Sequence, residues 1–143
     1  MALGGIAAKG RPVDNPQSPL PDHNEQSQSA ILMPELPLNI DVSAVKQLRD
    51  AAQPFLLLDV RNPDEHATSK IEGSTFIPMG ELQARLSELE PHKQDHIVVH
   101  CHHGGRSMRV TQFLRQQGFS QVQNMDGGID AWSLQVDPSV PRY

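Results

Sequence analysis

From Leu38 onward, short apolar runs alternate with stretches of helical spacing. Asp41 is placed to cap a helix in which Val42, Val45, Leu48 and Ala52 fall on one face. Phe55 to Val60 is an apolar run of strand length, and a strand apolar on both faces suits a parallel sheet covered by helices. The polar, proline-containing stretch Arg61-Asn62-Pro63-Asp64-Glu65 follows it. Thr75-Phe76-Ile77 is a second short strand, stopped by Pro78. Glu81 to Leu89 carries Leu82, Leu86 and Leu89 at helical spacing and ends before Pro91. Ile97-Val98-Val99 is a third buried strand. A helix follows from about Ser107 to Gln117, with Val110, Phe113 and Leu114 inward and Gly118 as its stop. Val122 sits in a last short strand, Gly127-Gly128 makes a turn, and Ile129 to Trp132 begins a final helix. Strand–helix alternation of this kind means an α/β fold with a mostly parallel sheet.

Residues 1–36 read differently. Pro12, Pro16, Pro19, Pro21 and Pro34 punctuate a stretch of Asn, Gln, Ser and Gly without apolar periodicity, which is expected to be a disordered tail. Residues 37–143 then form one domain. Apolar content is 37% and aromatic content 4%, so the core must be built mainly from Leu, Val, Ile and Met. A net charge of −5 with scattered cations argues against nucleic acid or an anionic membrane as partner. The run Phe55-Leu56-Leu57-Leu58 is far too short to span a bilayer, and the N-terminus lacks the basic region of a secretory signal. A single cysteine fits a reducing compartment, which makes the cytoplasm the expected location.

The chemistry centres on that cysteine. Cys101 ends a buried strand and is followed by His102-His103-Gly104-Gly105-Arg106-Ser107 and a helix, the place where open α/β sheets bind ligands. The glycines let successive N–H groups point inward as an anion-binding nest, and the helix N-terminus adds about half a positive charge. Arg106 supplies a permanent cation. All three favour the thiolate, which is the nucleophile. Cys101 and Arg106 are therefore the expected catalytic residues, with His102, His103, Gly104, Gly105 and Ser107 forming the substrate loop. Asp59 and Arg61, where the apolar strand ends, are expected to tie the sheet edge to the following loop.

At these residues the chain resembles single-domain rhodaneses. Leu57-Leu58-Asp59-Val60-Arg61 with Pro63 and Glu65 is similar to that family's Asp-Val-Arg segment. Ile71-Glu72-Gly73-Ser74 with Ile77-Pro78 is similar to its substrate-side turn. Phe113-Leu114, Gly118-Phe119, Gly127-Gly128-Ile129 and Trp132 are similar to its C-terminal part. The ending, Ala131-Trp132-Ser133 with Pro141-Arg142-Tyr143, resembles the rhodanese domains fused to adenylating enzymes that activate sulfur-carrier proteins. The resemblance implies a sheet of about five parallel strands with helices on both faces. It implies transfer of sulfane sulfur through a Cys101 persulfide, from a donor such as thiosulfate or another persulfide to a thiol acceptor. A sulfur-carrier or persulfide-bearing protein is the implied protein partner, and no cofactor or metal is called for. Lys70 and Ser69 stand where the family commonly has His and Gly, and the loop has His102 and His103 where thiosulfate-specialised members place cations. At an ordinary imidazole pKa of about 6.5 these histidines carry only fractional charge at neutrality.

Three other readings compete. Cysteine phosphatases and arsenate reductases need five residues between Cys and Arg to surround a tetrahedral oxyanion, whereas four intervene here. A metal site built from His92, His96, His100, Cys101, His102 and His103 lacks familiar ligand spacing, and His100 and Cys101 should face opposite ways on their strand. Non-catalytic rhodanese-like binding modules usually lack the cysteine, glycines or arginine that this chain keeps.

Overall fold

The computed structural model describes residues 35–143, so all but the last two residues of the expected tail lie outside the described residues. Five parallel strands form one sheet in the order β1-β5-β4-β2-β3. The strands are β1 (Asn39–Ile40), β2 (Leu56–Asp59), β3 (Thr75–Phe76), β4 (His96–His100) and β5 (Gln121–Met125). Helices α1 (Val42–Asp50), α2 (Pro63–Thr68), α3 (Gly105–Gln116) and α4 (Gly128–Gln135) connect or follow them.

Alternation along the central strands divides the core. Leu58, Ile97, Val99 and Cys101 pack with Val110 and Leu114 of α3 and with Leu82 and Leu89. Leu57 and Val98 face the other way, against Val42 and Val45 of α1 and Ile129 and Trp132 of α4. Trp132 thus packs the last helix onto the sheet, and Met125 lies fully buried on the same side. Asp41 caps α1 as expected, its carboxylate accepting the Ala44 N–H at 2.8 Å.

Four details depart from the sequence reading. The edge strand β1 pairs Asn39 and Ile40 with Asn124 and Met125; two residues are too few to show a periodicity. The polar stretch after β2 becomes α2: Pro63 opens it, and the Glu65 carboxylate accepts the Asn62 N–H at 3.1 Å. The helix expected over Glu81–Leu89 is instead a series of 3₁₀ turns at Met79–Glu81, Leu86–Glu88 and Glu90–His92. Leu82 and Leu89 are buried by i→i+3 hydrogen bonds that wind the chain more tightly than an α-helix. α3 starts at Gly105, two residues before the expected position.

Every strand runs the same way, so the carboxyl ends of β2, β4 and β5 converge on one rim. His100 occupies that rim fully buried, opposite Asp59 in the β2–β4 register. Its Nδ1 lies 3.3 Å from the Cys101 carbonyl oxygen, which can only accept, so the neutral ring carries its proton there. Burial, offset in part by the Asp59 charge, pushes its pKa down to about 4. Between about 6.5 and that value the unfolded chain binds a proton the folded chain refuses, so stability falls as pH drops through this window. Asp59 stays outside the window. Burial would raise its pKa, but hydrogen bonds from Arg61 and His66 and the His100 charge bring it down to about 2. Urea unfolding at pH 7, 5.5 and 4.5 should show the wild type losing about 3 kcal/mol at most across this range. His100→Phe should be markedly flatter. Parallel pH profiles for the two proteins would remove His100 as the acid-labile group.

Candidate active site

Cys101 is the first residue beyond β4 and its side chain is only 1% exposed. The chain turns at Gly104, whose φ of +122° is a conformation that a side chain would strain. This turn aims the Gly104 N–H at Sγ, 3.1 Å away. The first turn of α3 adds the Ser107 N–H at 3.4 Å and the Ser107 hydroxyl at 3.3 Å. Burial pushes the thiol pKa up, but the Ser107 hydroxyl and the N–H groups of Ser107, Gly104 and Arg106 outweigh it, leaving the pKa below its ordinary value. A polarised thiol in a cradle of backbone donors is suited to nucleophilic attack and to holding an anion or an added sulfur atom.

The β5–α4 turn presses on the back of this loop. The Ile129 N–H donates to the Cys101 carbonyl at 2.9 Å and the Asp130 N–H to the His102 carbonyl at 3.1 Å. Such closeness demands a glycine at 128, where a Cβ would come within 2.3 Å of the His102 carbonyl oxygen.

Arg106, the permanent cation of the loop, is paired. Its guanidinium grips Glu65 of α2 with two hydrogen bonds, of 2.7 and 2.9 Å. Those bonds, together with the Asn62 N–H and the Tyr143 hydroxyl, hold the Glu65 pKa down at about 2 against a smaller opposing effect of burial. The Tyr143 hydroxyl donates to Glu65 at 2.9 Å and accepts from Arg61 at 2.9 Å. Arg61 and Asp59 are fully buried and share two hydrogen bonds, of 2.8 and 2.9 Å. His66 of α2 reaches the same carboxylate at 2.9 Å.

The loop mouth is more covered than an open thiol loop would be. His102 is sandwiched between His103 and Tyr143, with ring centroids 3.9 Å apart on both sides. Burial, and then the neighbouring His103, lower the His102 pKa, so this ring carries less positive charge near pH 7 than an ordinary imidazole. His103 is exposed. His102, His103 and Asp130 bring potential ligand atoms within 4.8 Å of one another, a grouping the sequence reading did not foresee. The two rings are stacked on each other, and Asp130 is already held by Arg142 at 2.8 Å. The trio therefore reads as a stacked, ion-paired rim. His92 and His96 lie elsewhere: His92 sits in a 3₁₀ turn beside Asp95 and His96 opens β4.

Four residues at this site went unassigned in the sequence reading: Glu65, Asn124, Asp130 and Tyr143. Asn124 of β5 is buried and contacts Ser107 Oγ through its amide oxygen at 2.5 Å. Three of them are polar residues near a glycine, proline or strand end, and no local spacing distinguishes them from surface positions.

Comparison with known proteins agrees with this geometry. Residues 41–135 match the model of the rhodanese-like domain. The chain is 35% identical over 132 residues to the maize adenylyltransferase and sulfurtransferase MOCS3-1, covering 89% of this chain but 28% of the relative. It is 36% identical to a sulfurtransferase of Allochromatium vinosum, over 71% of this chain and 92% of the relative. Among solved structures, the human single-domain sulfurtransferase TSTD1 superposes with a TM-score of 0.62 at 25% identity, covering 70% of this chain and 98% of the other.

The Arg106–Glu65 pair sets opposite expectations for its two members. Arg106→Ala removes a cation near the sulfur and should raise the thiol pKa by about half a unit to one unit. It should also cost about 1–2 kcal/mol of stability, because Glu65 loses a bidentate partner. Glu65→Gln leaves Arg106 uncompensated and should move the thiol pKa down. Iodoacetamide alkylation rates across pH, with thermal melts alongside, measure both; shifts of the same sign would mean that the pair does not act through its charge.

Proposed function

The chain belongs to the rhodanese-like domain family of sulfurtransferases, and from that premise we propose that it carries sulfane sulfur as a persulfide on Cys101. The observation that carries this reading is the sulfur's surroundings: a buried thiol met by the N–H groups of Gly104 and Ser107 and by the Ser107 hydroxyl. In the loading step the Cys101 thiolate attacks the outer sulfur of a donor such as thiosulfate or another persulfide. A bond forms between Sγ and that sulfur, the donor's S–S bond breaks, and sulfite or a thiolate leaves with the electron pair. The inward N–H groups then share the charge of the terminal sulfur.

In the second step a thiophilic acceptor attacks the outer sulfur and returns Cys101 to the thiolate. Because the sequence holds one cysteine, no second thiol in the chain can resolve the persulfide. The acceptor is therefore external: a small thiol, or a sulfur-carrier or other persulfide-accepting protein. Four residues between Cys101 and Arg106 make a cradle sized for one added atom, which favours this chemistry over phosphoryl transfer. His102, His103, Gly104, Gly105 and Ser107 frame the donor, and Arg106, anchored by Glu65, sets the loop's position and field. Asp59 and Arg61 support the site from below. A thiol that must stay reduced between turnovers suits the cytoplasm, where we place the protein.

Mass spectrometry after incubation with thiosulfate or 3-mercaptopyruvate tests the proposal directly. The wild type should gain one sulfur atom and Cys101→Ser none, with the added sulfur released by cyanide or a small thiol. A wild type that no sulfane donor loads would make the domain a binding module.

A further inference from the structure

Ser107 has one hydroxyl proton and three acceptors within reach: Cys101 Sγ at 3.3 Å, the Gly104 carbonyl at 3.3 Å and the Asn124 amide oxygen at 2.5 Å. The shortest contact takes the proton, so Ser107 donates to Asn124 and its oxygen faces the sulfur as an acceptor. That arrangement suits a protonated thiol, whose S–H can donate to Oγ. A thiolate needs the reverse, with the Ser107 proton turned onto the sulfur. Were Asn124 then unmoved, two acceptor oxygens would stand 2.5 Å apart in a buried site.

The other face of Asn124 supplies the way out. Its Nδ2 donates to the Asn39 side-chain oxygen at 2.9 Å, and the two residues are register partners on β5 and β1. A carboxamide is nearly the same shape when its oxygen and nitrogen exchange places. If both amides turn over, Asn39 donates to Asn124, Asn124 donates to Ser107, and Ser107 donates to the sulfur. Every donor keeps an acceptor and no volume changes.

We propose that Asn124 and Asn39 are positioning residues for Cys101, a coupled amide pair that lets Ser107 accept from the thiol and donate to the thiolate. The inference rests on the reading of Cys101 as a thiolate nucleophile. It adds two residues on neighbouring strands, one of them exposed and on the far side of Asn124 from the sulfur. When the thiol ionises its proton leaves to buffer, and the amide pair turns without gaining or losing one. The charged and titratable groups around Cys101 are Arg106, paired with Glu65, on α3; His102 and His103 in the loop; Asp130 on α4; and His100 behind β4. None of them touches the Asn39–Asn124 pair in the hydrogen bonds of the described residues.

Asn39→Asp tests the device at an exposed position. An ionised carboxylate only accepts, so it holds the Asn124 Nδ2 toward position 39 and the amide oxygen on Ser107, keeping the serine proton from the sulfur. The midpoint of Cys101 alkylation against pH should rise by about half a unit to one unit. Asn39→Ala frees Asn124 to turn and should leave the midpoint at its wild-type value. In a Ser107→Ala background the Asn39→Asp shift should vanish, because no hydroxyl remains to be held. An unshifted midpoint in Asn39→Asp overturns the proposal, and so does a shift of equal size in the Ser107→Ala background, which would mark a plain field effect. Thermal melts check that each variant is folded. No sulfur donor is used, so failure of the amide pair and failure of persulfide loading are read in separate experiments.

Discussion

Arg61 is a permanent cation with no exposed surface, and the carboxyl rim of the sheet is organised around keeping it there. A buried guanidinium is tolerated only when its charge is paired and its donors are met. It has five N–H groups, and five contacts meet them. Nε and Nη2 reach the two oxygens of Asp59, and Nη2 also reaches the Ser69 carbonyl. Nη1 reaches the Glu65 carbonyl and the Tyr143 hydroxyl. One side chain thereby fixes the end of β2, the length of α2, the turn after it and the segment that ends at Tyr143. Burial works against the charge, yet these partners carry the Arg61 pKa above its ordinary value.

From that anchor the charges alternate outward to the candidate catalytic loop: Asp59, Arg61, Glu65 and Arg106, with the Tyr143 hydroxyl joining the middle pair. Each member is held by the next, so the Arg106 guanidinium has a fixed direction where a lone surface arginine would sample many. Tyr143 serves the network twice, through its hydroxyl and through the ring that lies flat on His102. α2, the 69–71 turn and the Val140–Tyr143 segment are thus part of the loop's scaffold despite lying outside the Cys101–Ser107 stretch.

The parts legible in the sequence are those written in consecutive residues. The apolar runs at 55–60 and 97–99 disclosed two central parallel strands, and the alternation around them disclosed an α/β fold; the count of about five strands came from the family resemblance, and the architecture shows it. The cysteine, glycines and arginine of the loop announced themselves by adjacency. Residues that act across distance did not. Glu65 meets Arg106 from 41 positions away and Asn124 meets Asn39 from 85 away, and neither pairing leaves a local spacing to detect. Leu82, Leu86 and Leu89 did carry a helical spacing, but anchoring in the core settled them as 3₁₀ turns. α2 was hidden because its polar, proline-led sequence has no apolar face; among its residues none is fully buried.

The missing side chain at Gly128 reaches further than the turn it occupies. By letting α4 come against the loop from behind, it gives the carbonyls of Cys101 and His102 partners on the outside. Their negative ends are thereby facing away from the sulfur, and the backbone groups that meet Sγ are both N–H donors. The backbone around the sulfur has, in effect, a single polarity. Such a cradle discriminates by the sign of what approaches before it discriminates by shape: an electron-rich atom meets backbone donors, while an ammonium group meets no backbone acceptor among the groups that contact the sulfur. Chemical selectivity of this kind is set by backbone direction, and it can persist while the side chains around the rim change.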